Sequence, residues 1–201
     1  MCCGIIFDII QVLLIAMLNR IFYLLLLLSM PLMGSLPHDS EDHPATVYIN
    51  TYLALAQYEA INYGIPVSIK LAQGMLESSF GSSELAINSN NHFGIKCKTY
   101  WIGPTYYHPD DDFDREGNLI DSCFRVYRSV EDSFRDHSIF LRYSTHYSPL
   151  FELKITDYQG WARGLQRIGY ATNPRYAEML IDIIRRYELY KYDQKLLVDV
   201  D

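Results

Sequence analysis

The pattern of apolar and polar residues predicts helices over much of the chain after residue 45. Ile49, Leu53 and Ala56 recur on one face of a first helix. The hydroxyl of Thr46 is suited to the N-cap of this helix, and Gly64 is suited to its C-terminal end. The spacing therefore predicts an amphipathic helix that begins after Thr46 and ends before Gly64.

A second helical pattern carries the first candidate for chemistry. Ile69, Ala72 and Leu76 share one face, and Pro66 is suited to the first turn. Glu77 follows in the last turn, where the helix dipole is negative and water is scarce. Both effects raise the pKa of a carboxyl group, as a general acid requires near neutral pH. The alternative is a solvated glutamate at a fraying helix end.

The pattern changes between residues 93 and 127, where aromatic and β-branched residues predict extended structure. Extended segments are predicted at 93–101, 105–107 and 120–127. Residues 109–118 lie between them and contain a run of aspartates. We therefore expect a small antiparallel β element with an acidic loop.

Helical spacing returns after residue 128. Ser129, Thr156 and Asn173 are the predicted N-caps of three further helices, the last of which runs towards Tyr190. Ser82 or Ser83 is the predicted N-cap of a short third helix, at 84–87. The elements together predict an α+β fold, mostly α, with a helical domain and one small antiparallel β lobe inserted after the second helix.

Composition restricts the partners that we expect. The chain has 201 residues, is 49% hydrophobic and carries a formal net charge of −7. No basic stripe is visible, so we expect no nucleic-acid partner. The 17 tyrosines include candidates for a carbohydrate groove, since tyrosine combines an apolar face with a polar tip. One domain and a monomer are expected.

The first 36 residues are of a different kind. Residues 5–18 and 21–32 are nearly all apolar, and neither run matches a full membrane span. Residues 1–36 are therefore predicted to be an export signal or an N-terminal anchor that associates with a membrane. A signal that starts at Met17 would make residues 1–16 an extension from a misassigned start codon.

The rest of the chain is expected to be exported to the periplasm, the cell envelope or the exterior. Residues 37–45 are rich in proline and acidic residues and predict a linker. The main domain is expected at 46–192, followed by a short frayed tail at 193–201.

Two cysteines lie in the part that we expect to be exported. In an oxidising compartment, Cys97 and Cys123 are expected to form a disulfide. It would close a loop of about 27 residues and contribute about 3.5 kcal/mol in the chain-entropy model. Two buried free thiols are the alternative.

Carboxylates on two elements suggest glycoside hydrolysis, in which an acid protonates the leaving oxygen and a second carboxylate assists. Glu77 is one, and the acidic segment 110–116 holds the other candidates. A calcium site is the competing interpretation, because Asp112 and Asp114 match the start of an EF-hand loop. The twelfth position of that loop is Cys123, so the match fails where a bidentate glutamate is required. No metal and no cofactor are expected.

Four motifs occur in order along the chain: LAQGMLESSFG, NNHFGIKC, FRVYRSVEDSFRDHSIFL and GYATNPRYAEMLI. Together they resemble the bacterial peptidoglycan endo-β-N-acetylglucosaminidases of glycoside hydrolase family 73, which include flagellar and autolysin types. The resemblance covers about residues 46–190. It implies a lysozyme-like α+β fold and hydrolysis of the β-1,4 bond after N-acetylglucosamine in peptidoglycan glycan strands.

The resemblance also implies roles for single residues. Glu77 matches the general acid of the family. Asn91 and Phe93 match a short Asn-x-Phe-Gly motif at the start of the β lobe, where they are expected to bind substrate. Tyr170 and Tyr176 match tyrosines that are expected beside the substrate.

The second carboxylate of the family is usually a glutamate on the β-lobe hairpin. The alignment places Asp112 there, between Trp101 and Phe124. Aspartate is one methylene shorter, and the neighbouring aspartates are alternatives for the same role. Retaining, inverting and substrate-assisted mechanisms therefore all remain open, the last with the 2-acetamido group as nucleophile and Asp112 orienting it.

Other classes of protein remain as alternatives. A lytic transglycosylase shares the fold and needs only one glutamate, and its product is an anhydro-muramic acid. A non-catalytic cell-wall-binding module has no need of Glu77 within an intact motif. A calcium-dependent adhesion domain depends on the acidic segment alone.

Overall fold

The computed structural model of the protein describes residues 43–198. The predicted signal or anchor at 1–36 and residues 37–42 of the predicted linker lie outside these residues. Within 43–198, none of the helices combines the length and the apolar character that a membrane span requires.

Helices make up most of the described residues. They are α1 (Pro44–Tyr63), α2 (Val67–Glu77), α3 (Glu84–Ser89), α4 (Val130–Tyr143), α5 (Tyr158–Ile168), α6 (Tyr176–Arg186) and α7 (Tyr190–Val198), with a 3₁₀ helix at Ser148–Glu152. The strands are β1 (Thr105–Phe113) and β2 (Leu119–Arg125). The predicted α+β fold is confirmed.

Helix α1 begins three residues earlier than the sequence predicts. The N-cap is His43, whose ring Nδ1 accepts a hydrogen bond from Ala45 N at 3.2 Å, and Pro44 occupies the first helical position. The prediction of Thr46 as the N-cap is therefore wrong. Proline at the first position starts the helix because its fixed φ is helical and its missing N–H has no partner to lose. Gly64 ends the helix in the left-handed conformation, with φ of 72°.

Helix α2 lies at the centre of the fold. Every residue of its segment 67–75 is buried, including three polar residues. Its N-terminus has no side-chain cap from Pro66. Instead Asp193, on α7, accepts hydrogen bonds from Ser68 N at 2.9 Å and from Ser68 Oγ at 2.5 Å.

This contact corrects the prediction of a frayed tail from residue 193. Asp193 lies within α7 and is 1% exposed. A position near the end of the chain favours fraying. The carboxylate of Asp193 is nevertheless held in place, because it supplies the missing cap of a buried helix.

Of the four other predicted N-caps, two are confirmed and two are wrong. Ser83 and Ser129 accept hydrogen bonds from the first turns of α3 and α4. Asp157 caps α5 in place of Thr156, because its carboxylate reaches the amide of residue 160 at 2.9 Å. Asn173 instead shapes the turn before α6 by accepting a hydrogen bond from the amide of residue 175.

The predicted last helix is divided in the structure. It begins at Tyr176 rather than directly after Asn173, and α6 ends at Arg186. Glu188 lies between α6 and α7 with a left-handed φ of 53°. This conformation interrupts a helix, so the chain changes direction before α7.

The β lobe is an antiparallel pair of strands. Thr105 pairs with Arg125, and the register shifts between Pro109 and Phe113. The aspartates at 110–112 therefore belong to β1, and the prediction that they form a loop is wrong. The segment 93–101 was predicted to be extended, but it contributes only one bridge, from Lys96 to β2.

The predicted disulfide is confirmed. Cys97 and Cys123 are bonded, with their Cα atoms 5.5 Å apart. The bond joins the segment before the hairpin to β2. It therefore stabilises a two-stranded unit that has little core of its own.

Candidate active site

A groove of about 570 Å³ lies between the helices and the β lobe. We call its two sides the helical wall and the β-lobe wall. The helical wall includes Glu77, Phe140, Tyr147 and Tyr170, and the β-lobe wall includes Lys96, Lys98, Asp110 and Asp112. Two of the predicted catalytic residues, Glu77 and Asp112, therefore line one groove.

Glu77 is the last residue of α2, and a tight turn holds it at the groove. Ser79, Phe80 and Gly81 all have left-handed φ values, between 49° and 81°. The hydroxyl of Ser78 donates to Gly74 O and accepts from Gly81 N. These bonds close the end of the helix and hold the backbone from which the Glu77 side chain extends.

The environment of Glu77 favours its neutral form. Burial raises the pKa of Glu77 from 4.5 to about 6, and a hydrogen bond from Tyr176 opposes this shift. The negative charge of Asp110, across the groove, raises the pKa further. Glu77 therefore retains a proton in mildly acidic solution, as the sequence predicts for a general acid.

Tyr176 determines which oxygen of Glu77 carries that proton. Its hydroxyl donates to Glu77 Oε1 at 2.7 Å, and its oxygen accepts from Gln73 Nε2 at 3.1 Å. Gln73 lies one turn before Glu77 on α2. Because Gln73 donates to the Tyr176 oxygen, the Tyr176 proton is directed to Oε1, and the acid proton of Glu77 belongs on Oε2.

Tyr170 packs beside this pair. Its ring stacks on Tyr176 with centroids 5.5 Å apart, and it lines the groove. Gly169, in the left-handed conformation, ends α5 just before it. The Tyr170 hydroxyl lies 3.0 Å from His137 Nε2. Both tyrosines predicted beside the substrate are thus next to Glu77.

The structure separates the two residues of the Asn-x-Phe-Gly motif. Phe93 lines the groove. Asn91 is 1% exposed; its amide donates to Ile95 O and Arg125 O at 3.0 Å, and its carbonyl oxygen accepts from Phe93 N and Ile95 N. Because both ends of the amide are fully used, Asn91 has no group left for a sugar. It connects the motif to β2, behind the groove surface.

The β-lobe carboxylates are held by polar groups. Lys96 Nζ lies 2.9 Å from Asp110 Oδ2 and 3.0 Å from Asp112 Oδ2. Asp112 Oδ2 also accepts a short hydrogen bond from Ser122. The bonds from Ser122 and Lys96 lower the pKa of Asp112, so this carboxylate is ionised over the range in which Glu77 titrates.

Asp114, in the same acidic segment, has a different role. Asp114 Oδ1 accepts hydrogen bonds from Glu116 N and Asn118 N and thereby closes the hairpin turn. Among residues 43–198, no group of three or more histidines, cysteines and acidic residues is placed to hold a metal ion.

Two functional candidates escaped the sequence analysis. Lys70 is fully buried on α2, and its ammonium contacts His137 Nδ1 at 2.8 Å. His137 is also fully buried and contacts Tyr170. The available signals were a lysine in an otherwise apolar stretch of helix and a histidine in the third motif.

An acid on a buried helix, facing an ionised aspartate across a groove, is the arrangement with which lysozyme-like glycoside hydrolases cleave sugars. A family model described as mannosyl-glycoprotein endo-beta-N-acetylglucosaminidase matches residues 53–189. The chain therefore belongs to the glucosaminidase family, which is glycoside hydrolase family 73.

Relatives of known name agree with this assignment. The exo-glucosaminidase LytG of Bacillus subtilis is 34% identical over 154 residues, which are 74% of this chain and 53% of LytG. The peptidoglycan hydrolase FlgJ of Pseudomonas aeruginosa is 30% identical over 152 residues, which are 73% of this chain and 38% of FlgJ. The chain thus matches about half, or less, of the length of these relatives.

A solved structure shows the same fold. The catalytic domain of the autolysin Auto from Listeria monocytogenes superposes with a TM-score of 0.67 and 28% identity, covering 80% of this chain and 92% of that domain. The glycoside hydrolase domain of FlgJ from Salmonella typhimurium gives a TM-score of 0.58 at 25% identity, with 78% and 96% covered.

Proposed function

We propose that this chain hydrolyses the β-1,4 bond after N-acetylglucosamine in peptidoglycan glycan strands and acts within the strand. The observation that supports this most strongly is Glu77, whose pKa is raised to about 6 and which lines a groove of about 570 Å³ together with tyrosines and aspartates. The names of LytG and FlgJ support the type of sugar and the polymer.

Glu77 is the proposed general acid. In its neutral form it donates the Oε2 proton to the leaving glycosidic oxygen, while Tyr176 holds Oε1. Loss of this proton leaves a carboxylate that accepts the Tyr176 hydrogen bond. Tyr176 therefore stabilises the charge that forms on Glu77 as the bond breaks.

Asp112 is the proposed second carboxylate. It is ionised and lines the groove opposite Glu77, and its Oδ2 binds Lys96 and Ser122. A negative charge in this place stabilises positive charge on the sugar, orients water, or orients the 2-acetamido group. Asp110 is the alternative, since its charge already acts on Glu77.

A lytic transglycosylase is the second candidate. One observation favours it: the positive charge of Lys96 offsets the negative charge of Asp112, which weakens the stabilisation that Asp112 can give to a sugar cation and leaves the chemistry to Glu77. In that reaction the muramic acid hydroxyl attacks, so the product is an anhydro sugar rather than a reducing end.

The test is a digest of purified sacculi with products identified by mass. A reducing N-acetylglucosamine end supports the proposed hydrolase, and an anhydro-muramic end supports the transglycosylase. Fragments of several disaccharides at early times support cleavage within the strand. Early release of single disaccharides instead indicates an exo-acting enzyme, as the name of LytG states for that relative.

We further propose that the domain works outside the cytoplasm. The Cys97–Cys123 bond supports an oxidising compartment, and the substrate lies in the cell envelope. Fractionation of cells and N-terminal sequencing of the protein from each fraction test whether residues 1–36 are removed or retained as an anchor.

A further inference from the structure

A buried cation lies behind the helical wall. Lys70 is 0% exposed, and its Nζ lies 3.2 Å from Phe134 O, 2.7 Å from Ser138 Oγ and 2.8 Å from His137 Nδ1. The hydroxyl of Ser138 already donates to Phe134 O at 3.0 Å, so its oxygen accepts from Lys70. The three acceptors match the three protons of an ammonium group.

The protonation of Lys70 agrees with the pH at which Glu77 is an acid. Burial lowers the pKa of Lys70 to about 7, and the charge of the fully buried Glu59 opposes that shift. In mildly acidic solution, where Glu77 keeps its proton, Lys70 is therefore an ammonium.

The ammonium of Lys70 determines the tautomer of His137. Burial and the nearby charge of Lys70 lower the pKa of His137, so its ring is neutral. Nδ1 accepts from Lys70, and the single ring proton therefore lies on Nε2. Phe93 stacks on the ring at 4.0 Å, with 5° between the planes, and holds it in place.

His137 in turn determines the direction of the Tyr170 hydrogen bond. Nε2–H donates to the Tyr170 oxygen at 3.0 Å, so the proton of Tyr170 is available for another acceptor. Tyr170 lines the groove beside Tyr176 and Glu77.

We propose that Lys70 and His137 are positioning residues that fix the hydroxyl of Tyr170 as a hydrogen-bond donor to an acceptor oxygen of the bound glycan. The inference rests on the proposed function for its substrate. The direction of the hydrogen bond between His137 and Tyr170 depends on the protein alone and not on the substrate. Gln73 imposes the same direction on Tyr176, so two buried polar residues direct the two tyrosines beside Glu77.

The first experiment measures the tautomer without any substrate. The protein is labelled with ¹⁵N-histidine, and the ring signals of His137 are assigned by their loss in His137→Gln. Near pH 6 we expect a protonated Nε2 and a bare Nδ1. Lys70→Met removes the donor and is expected to increase the Nδ1–H form. A protonated Nδ1 in the unmodified protein would overturn the proposal.

The second experiment is a double-mutant cycle on sacculi with Tyr170→Phe and Lys70→Met. Each change is expected to lower kcat/KM about tenfold, because each removes one hydrogen bond to the substrate. The double variant is expected to lose no more than Tyr170→Phe alone, because both changes remove the same bond. Additive losses would contradict the proposed role.

His137 provides a conservative comparison. His137→Gln retains an N–H that reaches Tyr170 and is expected to keep more activity than His137→Leu. Equal losses in both variants would indicate a packing role. If Lys70→Met does not fold, this pair and the tautomer of the unmodified protein still decide the question.

Ser68→Ala is the matched control. Ser68 is buried on the same helix and loses a comparable hydrogen bond, to Asp193, without contact to Tyr170. It is expected to lower stability and to leave kcat/KM near that of the unmodified protein. A loss of activity equal to that of Lys70→Met would overturn the proposal.

A protein that does not cleave sacculi would contradict the proposed function. The same cycle is then measured as the Kd for an N-acetylglucosamine oligomer in the Glu77→Gln background. A weaker Kd in Tyr170→Phe, with no further weakening when Lys70→Met is added, supports the inference about Tyr170. An unchanged Kd contradicts it.

Discussion

The helical wall and the β-lobe wall shift the pKa of a carboxyl group in opposite directions. Glu77 is partly buried, and its pKa is raised to about 6. Asp112 has its pKa lowered by Ser122 and Lys96. Two carboxyl groups on one groove are thus driven apart in protonation by their surroundings. The difference teaches that environment, more than residue type, separates a proton donor from a stabilising charge.

The two walls also differ in what holds them. Uncharged buried groups support Glu77, through Gln73 and Tyr176. Lys96 supports the β-lobe aspartates through partly exposed ion pairs. Salt screens such pairs and leaves the buried hydrogen bonds largely unchanged. We therefore expect the β-lobe wall to depend on solution conditions and the helical wall to be rigid.

The largest expected effect comes from removing the acid. Glu77→Gln keeps the shape of the side chain and removes the transferable proton, so turnover on sacculi should fall by on the order of 10² to 10⁴. The melting temperature should stay the same or rise, because a partly buried carboxyl group is replaced by a neutral one. Near-normal hydrolysis by the folded variant would rule out Glu77 as the proton donor.

The next effect tests the other wall. Asp112→Asn removes the ionised carboxylate and should lower kcat by on the order of 10²-fold, with little change in substrate binding, because the charge acts mainly in the transition state. Asp110→Asn is the matched change on the same strand and should cost less. A greater loss in Asp110→Asn would transfer the role of second carboxylate to Asp110.

Addition of a chelator tests the calcium alternative. The chelator should leave activity and melting temperature unchanged, since the acidic segment is engaged by Lys96, Ser122 and its own turn. A fall in melting temperature with chelator would revive the interpretation of the segment as a metal site.

A smaller effect concerns the disulfide. Replacing Cys97 and Cys123 by serine should lower the free energy of unfolding by up to about 3.5 kcal/mol. Because the bond lies in the β lobe, kcat should fall more at high salt, where the ion pairs of Lys96 are screened. Denaturation and kinetics at two salt concentrations check this. Equal losses at both concentrations would show that the bond and the ion pairs act independently.

The smallest effect is a pair of opposite shifts in pH dependence. The general acid must be protonated, so kcat/KM should fall as pH rises through about 6. The Tyr176 hydrogen bond lowers the pKa of Glu77, so Tyr176→Phe should move this alkaline limb of the pH profile to higher pH. The charge of Asp110 raises it, so Asp110→Asn should move the limb to lower pH. Shifts in the same direction would contradict this account.

The sequence predicts the elements well and their ends less well. Ser83 and Ser129 are correct N-caps because short-range chemistry decides them. His43 and Asp157 are missed, since each competes with a plausible neighbour within a few residues. Asp193 is missed for another reason: the helix end that it caps lies 125 residues away, and no local pattern contains such a pairing.

For the site, as for the helix ends, the sequence predicts what depends on local motifs and misses what depends on contacts between distant residues. Glu77 and the two tyrosines were found through motifs and meet in the structure. Asn91 belongs to a true motif, but its amide serves the backbone. Lys70 and His137 escaped because a buried charge becomes recognisable only when its partners, far apart in the chain, are known.

The contact between Ser68 and Asp193 has a consequence for the order in which the domain is assembled. Synthesis delivers the chain from its N-terminus, so the helix that bears Glu77 emerges more than a hundred residues before the carboxylate that caps it. Until α7 arrives, the amide of Ser68 has to be satisfied by water, which cannot stay once the helix is buried. A nascent chain that stops before residue 193 therefore carries every residue of the groove and an unfinished central helix. The helix that bears Glu77 is therefore complete only when the last helix of the domain is in place.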